Sequence, residues 1–451
     1  MQPPVGITFL TPTAPSGFHA RAMEPRPARR CHRVMMANTT ISRRTLLTTL
    51  AGAGVATLAG CDPATSPAAA ILLPDPLLVE VDGGLGVLRG ADRQTIPHGV
   101  VTADGRLVYA SAPDGADTAL WRIDAGRGAT SERVSLPGRW VPQTVSADGT
   151  RVALTTEEVS ATKERPAGRD VTPVLIADAG GVRQRLRLPG NFVPEAFTHD
   201  LAGLFVLEWL PPDSPDRYRV RVVDLTTGVP GPLFTRDKGP IPAGTEEEMR
   251  GDGRQAVLAP NRTVLYTLYT HQPDHQHTRD RISGRPGSDV HAFVHTLHLE
   301  QRWAYCVDLP HPFGEAAPDG HAMAITPDGG RLYIVDVTSG TVAEITTEDL
   351  TVRHTAKLAG ATGPAYAAAD RERLFLGAGA GVRTVDLADL AVTAERPVRD
   401  PVTGLILSPD GSRLYVGQNA AVAWHDPAAG GELGRAAVPG LVGLHGPARP
   451  A

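Results

Sequence analysis

Lysine, cysteine and aromatic residues are all scarce in this 451-residue sequence, and each shortage excludes something. Three lysines (Lys163, Lys238 and Lys357) leave nearly all positive charge to arginine, and the formal net charge of -5 gives no basic face for nucleic acid or an anionic membrane. Three cysteines (Cys31, Cys61 and Cys306) are too few for a disulfide framework. No apolar run approaches the roughly 20 residues that a membrane-spanning helix needs. No G-x-S-x-G elbow and no phosphate-binding glycine loop occurs. Glycine (48) and proline (40) are plentiful instead, without a collagen period, which points to many tight turns and an all-β chain.

The N-terminal region reads as an address. From Met36 the chain runs MANTTISRRTLLTTLAGAGVATLAGC, with paired Arg43 and Arg44, an apolar stretch over residues 45–59, and no acidic residue before Cys61. That is the layout of a signal peptide. Ser42-Arg43-Arg44-Thr45-Leu46-Leu47 resembles the twin-arginine (Tat) export signal, and Leu58-Ala59-Gly60-Cys61 resembles a bacterial lipobox. The resemblance implies cleavage before Cys61 and lipidation of its thiol, hence an extracytoplasmic protein held at the cell membrane through its lipid alone. Residues 1–35 read as an extension of the gene upstream of the true start, 36–60 as the signal peptide, 61–74 as a tether and 75–451 as one domain.

Beyond residue 75 short runs alternate apolar and polar residues, the period of strands. A phrase recurs: VVTADGRLVYA, TVSADGTRVALT, AITPDGGRLYIV and LILSPDGSRLYVG, with weaker copies in FTHDLAGLFVLEW, VLAPNRTVLYTL and AAADRERLFLGA. Taking the Asp or Asn of each copy puts anchors at 104, 148, 200, 261, 328, 370 and 410, a mean spacing of 51 residues. That length holds a four-stranded blade. The phrase resembles the YVTN and WD-like repeats of exported bacterial β-propellers and implies one propeller of about seven blades. Eight is the alternative, with LVGLHG near the C-terminus opening a blade that LLVEV and LGVLR complete.

The anchor turns are short, so the extra residues of the long repeats fall elsewhere: 158–170, 211–217, 236–254 and 271–290. Each is expected to connect the second to the third strand of a blade, or one blade to the next, so all share one face of the disc around blades 2 to 4. Such loops are the usual carriers of binding. Histidines concentrate there: His271, His275 and His277 in one loop, His291, His295 and His298 after it, then His311 and His321. Histidine-rich loops are ordinarily solvated, so the expectation is no metal or cofactor, with copper or zinc on His271, His275 and His277 as the alternative. Glu246-Glu247-Glu248 reads as a solvated loop, because adjacent side chains project apart. Cys306 reads as a small buried filler. No catalytic residue can be placed. The sequence therefore favours a binding or interaction module that takes a protein or small molecule on the long-loop face. The alternative is a propeller enzyme, lactonase-like or metal-dependent and redox-active.

Overall fold

The structure, a computed structural model, describes residues 72–451 except 97–98, 157–164, 251–252 and 288. The expected leader with Arg43 and Arg44, and Cys61 itself, lie outside the described residues. Among the described residues there are eight four-stranded antiparallel sheets, one short α-helix (Thr278–Ser283) and one 3-10 turn. Each sheet is a blade, and the first strands of most neighbouring blades contact each other around the axis. The fold is a β-propeller. No described helix is long and apolar enough to cross a membrane.

Seven blades are continuous in sequence, and the eighth is the composite that the C-terminal run allowed. Leu441–Pro447 supplies its first strand and pairs with Leu77–Val81, followed by Gly84–Arg89 and Asp92–Ile96. The count is eight: this blade carries no anchor phrase, because its first two strands lie far apart in sequence. Joining the two ends in one sheet closes the ring without exposing an edge. Leu73, at the end of the expected tether, is already buried against this blade.

Both faces of every blade are covered, which explains the strand compositions. Eight apolar clusters each bridge one blade-to-blade interface. In the strand Leu77–Val81, for instance, Leu77, Val79 and Val81 pack toward blade 7 with Tyr415 and Trp424, while Leu78 packs toward blade 1 with Val108 and Ile123. Period two distributes one strand between two interfaces.

The anchor phrase has a local cause. In blade 1 the Thr102 hydroxyl donates to Asp104 Oδ1 at 2.7 Å, Asp104 accepts the Arg106 amide at 3.1 Å, and the Leu107 amide donates to Thr102 Oγ1 at 3.0 Å. Ser146 with Asp148, Thr198 with Asp200, Thr326 with Asp328 and Ser408 with Asp410 repeat the hydroxyl-to-carboxylate bond. The residue after the aspartate adopts positive φ, as Gly149 does at +71°, which favours glycine. Tyr109 then donates to the Gly149 carbonyl of the next blade at 2.8 Å, so the turn also ties two blades together.

Candidate functional site

Blade 3 breaks the pattern. Its fourth strand is only Pro230–Gly231, paired with Val222 and Val223 of the third strand, Arg217–Asp224. The rest of that edge is taken by the connection to blade 4. Tyr218 and Met249 exchange backbone hydrogen bonds of 2.8 and 2.7 Å, and at the other end of the connection Phe234 bonds to the Arg302 carbonyl at 2.9 Å. The connection is thus sewn to blade 3 at one end and to blade 4 at the other. Between the two lies a cavity of about 540 Å3, lined by Val220, Met249, Glu247, His277, His295 and Cys306 among others.

The acidic run forms one wall and is not a solvated loop. Arg217, Arg219 and Arg221 alternate along one strand, so their side chains share a face. Glu248 takes Arg217 at 2.7 Å, and Glu246 takes Arg219 at 3.0 Å and Arg221 at 3.1 Å. Glu208 completes this network through Arg219 at 2.6 Å. Glu247, between the two paired glutamates, points the other way. Adjacent residues do project apart, but both directions lead to partners: the arginines on one side, and the buried histidines and Cys306 on the other.

Glu247 meets side chains from three segments of blade 4. His275 and His277 come from the loop 270–292, between the second strand (Val264–Tyr269) and the third (Phe293–His298). His295 stands on that third strand and Cys306 on the fourth, Trp303–Asp308. The strands place His295 and Cys306 directly opposite each other in register. The loop is fixed by Gln272, whose buried side-chain amide exchanges hydrogen bonds of 3.0 and 3.1 Å with the Arg250 backbone, and by His275 stacking on Phe293 at 4.4 Å. The helix Thr278–Ser283 follows, and its first amide, from Thr278, donates to Glu247 Oε2 at 3.1 Å.

The two carboxylate oxygens have different neighbours. Oε2 lies 3.5 Å from His277 Nδ1 and 4.0 Å from His275 Nε2. Oε1 lies 3.6 Å from His295 Nε2 and accepts from the Cys306 thiol at 3.1 Å. His277 is clamped from behind: its Nε2 is 2.5 Å from Asp308, whose other oxygen takes Arg279 at 2.7 Å. Arg279 also donates to the Cys306 carbonyl at 2.7 Å and lies over the Tyr305 ring. The side chains of His275, His277 and His295 are 3%, 1% and 3% exposed, and that of Glu247 is 12%.

Burial opposes charge throughout, and the partners decide where it survives. Burial pulls the His275 imidazole down to about 4 and His295 below its ordinary value, so both are neutral near pH 7. Burial also penalises His277, but its hydrogen bond to Asp308 and the nearby negative charge of Glu247 outweigh this and raise it to about 9. Burial would raise Glu247, yet its contacts with His277, His295 and His275 hold it well below the usual carboxylate range. Burial and the facing Glu247 push the Cys306 thiol well above its ordinary value, which rules against a free thiolate nucleophile. Cys306 is buried, as expected, but it is a polar member of the cluster rather than a filler.

Of the three histidines singled out in the sequence, His275 and His277 converge here and His271 does not; its Nδ1 is 2.9 Å from Thr270 Oγ1. His291 packs on His311, His298 on Trp303, and His321 lies fully buried 3.8 Å from Asp336. Sequence reasoning missed Glu247, His295 and Cys306 as partners of the loop histidines. The alternation Arg217-x-Arg219-x-Arg221 was the available sign that the acidic run had buried company. Two sets of potential ligand atoms each lie within 4.8 Å of one another: Glu247, His275 and His277, and Glu247, His295 and Cys306.

No protein-family pattern matches the chain, and no curated protein matches it in sequence. Solved propeller structures are similar in fold. Dihydro-heme d1 dehydrogenase NirN in complex with DHE is 13% identical with a TM-score of 0.45, covering 82% of this chain and 74% of that one. BamB from Moraxella catarrhalis is 13% identical with a TM-score of 0.40, covering 77% and 92%. Kuenenia stuttgartiensis hydrazine synthase is 14% identical with a TM-score of 0.39, covering 79% and 96%. At these values the likeness says nothing of what this chain binds or catalyses.

Proposed function

We propose that this protein is an exported propeller, lipid-anchored at Cys61, that acts as a binding module through the cavity between blades 3 and 4. In this reading a borderline divalent ion, zinc before copper, sits on Glu247 Oε2, His275 Nε2 and His277 Nδ1. One observation carries the reading: the buried His275 Nε2 and His277 Nδ1 have no hydrogen-bond partner, and both face the same carboxylate oxygen. A buried imidazole nitrogen left unpaired costs about 1–3 kcal/mol, which a cation between the three atoms would remove. Two histidines and a carboxylate are an established zinc donor set, with the fourth position open to a ligand. Asp308 behind His277 is the kind of partner that fixes a ligating imidazole in the correct tautomer.

Glu247 and His277 line the cavity, so an ion held by them would be reached from it, and the module would capture a small molecule by direct coordination. Catalysis on such a molecule is the second reading, favoured by the same opening. The test is thermal unfolding of chelator-stripped protein with and without zinc. An ion at about 100 times its Kd stabilises by about 2.7 kcal/mol, and His277→Ala should gain less from zinc than the wild type by about that amount. Equal zinc responses in both proteins, or none in either, would overturn the reading.

A further inference from the structure

The Glu247 carboxylate is divided between two donor sets, and only one of them is used above. Oε1 faces His295 Nε2 and Cys306 Sγ, Oε2 faces His275 and His277, and each set closes within 4.8 Å. We propose that Glu247 bridges two metal ions: one on His275 and His277 through Oε2, and a second, thiolate-bound ion on His295 and Cys306 through Oε1. The proposal rests on the metal-binding reading and extends it to a binuclear centre.

The chemistry of each donor set supports this. A single ion cannot use both oxygens and all four other ligands in tetrahedral geometry, the arrangement zinc prefers. Shared through its two oxygens, one carboxylate holds two ions about 3.5–4 Å apart, the separation typical of two-metal sites. His295 and Cys306 are directly opposed on neighbouring strands, a rigid arrangement that needs no loop movement to present both atoms. Binding at the second set replaces the thiol proton with the ion, turning the present Cys306-to-Glu247 hydrogen bond into two metal bonds; the proton leaves to solvent. His277, His295, Cys306 and Glu247 all line the cavity, so a ligand entering it would meet both ions. Such a pair suits an anionic ligand able to span two cations, such as a carboxylate or phosphate.

The experiment is stoichiometric titration of stripped full-length protein with zinc and with cobalt, read by elemental analysis after desalting and by absorption. Two equivalents are expected, with a near-ultraviolet thiolate-to-cobalt charge-transfer band. Cys306→Ser should lose the band and one equivalent, His275→Ala should lose the other equivalent and keep the band, and Glu247→Gln should weaken both at least tenfold. One equivalent, abolished equally by His275→Ala and Cys306→Ser, would overturn the bridge while leaving a mononuclear metal module intact. One equivalent with no thiolate band would do the same. No bound metal at all would overturn both readings. Because Cys306→Ser and Glu247→Gln are nearly isosteric, and because the wild-type stoichiometry needs no variant, loss of folding cannot mask the answer.

Discussion

Ring closure through blade 8 predicts a specific weakness at Leu444. This residue lies on the innermost strand of the composite blade, is 3% exposed, and packs on two bare glycines of blade 7. Leu444→Ala removes a buried isopropyl group between two rigid sheets that cannot collapse onto the gap, so the expected cost is about 2–5 kcal/mol. Gly404→Ala attacks the same contact from the opposite side. Its new methyl would stand 2.8 Å from the Leu444 amide nitrogen and 2.9 Å from Leu444 Cβ. Overpacking of this kind costs about 1–3 kcal/mol. Leu444 Cγ, also 2.9 Å away, leaves in Leu444→Ala but the other two atoms remain, so truncating the leucine should relieve only part of the overpacking, and the double variant should be less stable than either single one. The assay is urea unfolding followed by far-ultraviolet circular dichroism. Leu433→Ala on the outer strand of blade 7, 54% exposed, serves as the control and should fall within about 0.5 kcal/mol of wild type. The closure argument is wrong if Leu444→Ala loses no more stability than Leu433→Ala, or if the double variant recovers what Gly404→Ala loses.

Within the acidic run, Glu246→Gln should cost about 1.5–3 kcal/mol, because it removes a buried carboxylate from Arg219 and Arg221 while leaving both paired with Glu208, whereas Glu248→Gln should cost under about 1 kcal/mol because its partner Arg217 is exposed; denaturant midpoints compare them. Acid should loosen the blade turns. The Ser408 hydroxyl and the Ser412 amide and hydroxyl lower Asp410 to about 2, and Asp200 and Asp328 are lowered in the same direction, first by Thr198 and Thr326. A lowered carboxylate contributes stability that is complete above its unfolded value near 4 and is lost as pH falls toward 2, so midpoints should drop across that window and less so in Asp410→Asn. Cys306 should resist alkylation in native, metal-free protein and react on unfolding, read by mass spectrometry of its peptide. Cys61→Ala should release the protein from membranes, and retention after fractionation would end the lipoprotein reading.

Blade architecture was legible because it is local. A hydroxyl two residues before an aspartate, with a positive-φ residue after it, marks one turn wherever it occurs, and period-two strands follow. Even the sidedness of the long loops could be read, since 211–217 and 271–290 do join second to third strands and 236–254 does join blades 3 and 4. The eighth blade was legible only as the alternative, because LVGLHG and LLVEV carry no anchor phrase and lie far apart in sequence. The site hid for a different reason. His275 and Glu247 are 28 residues apart and Cys306 is farther still, and what unites them is the shortened fourth strand of blade 3, which lets the connecting loop tuck its acidic run against the next blade. Nothing in Glu246-Glu247-Glu248 taken alone distinguishes a buried bridge from a wet loop. The partners do.

The most direct measurement is a crystal structure of zinc-loaded protein with anomalous data collected on both sides of the zinc edge. The account predicts a peak about 2.0–2.2 Å from Glu247 Oε2, His275 Nε2 and His277 Nδ1. Absence of that peak at saturating zinc, or zinc found on His271 or His311 instead, would contradict it.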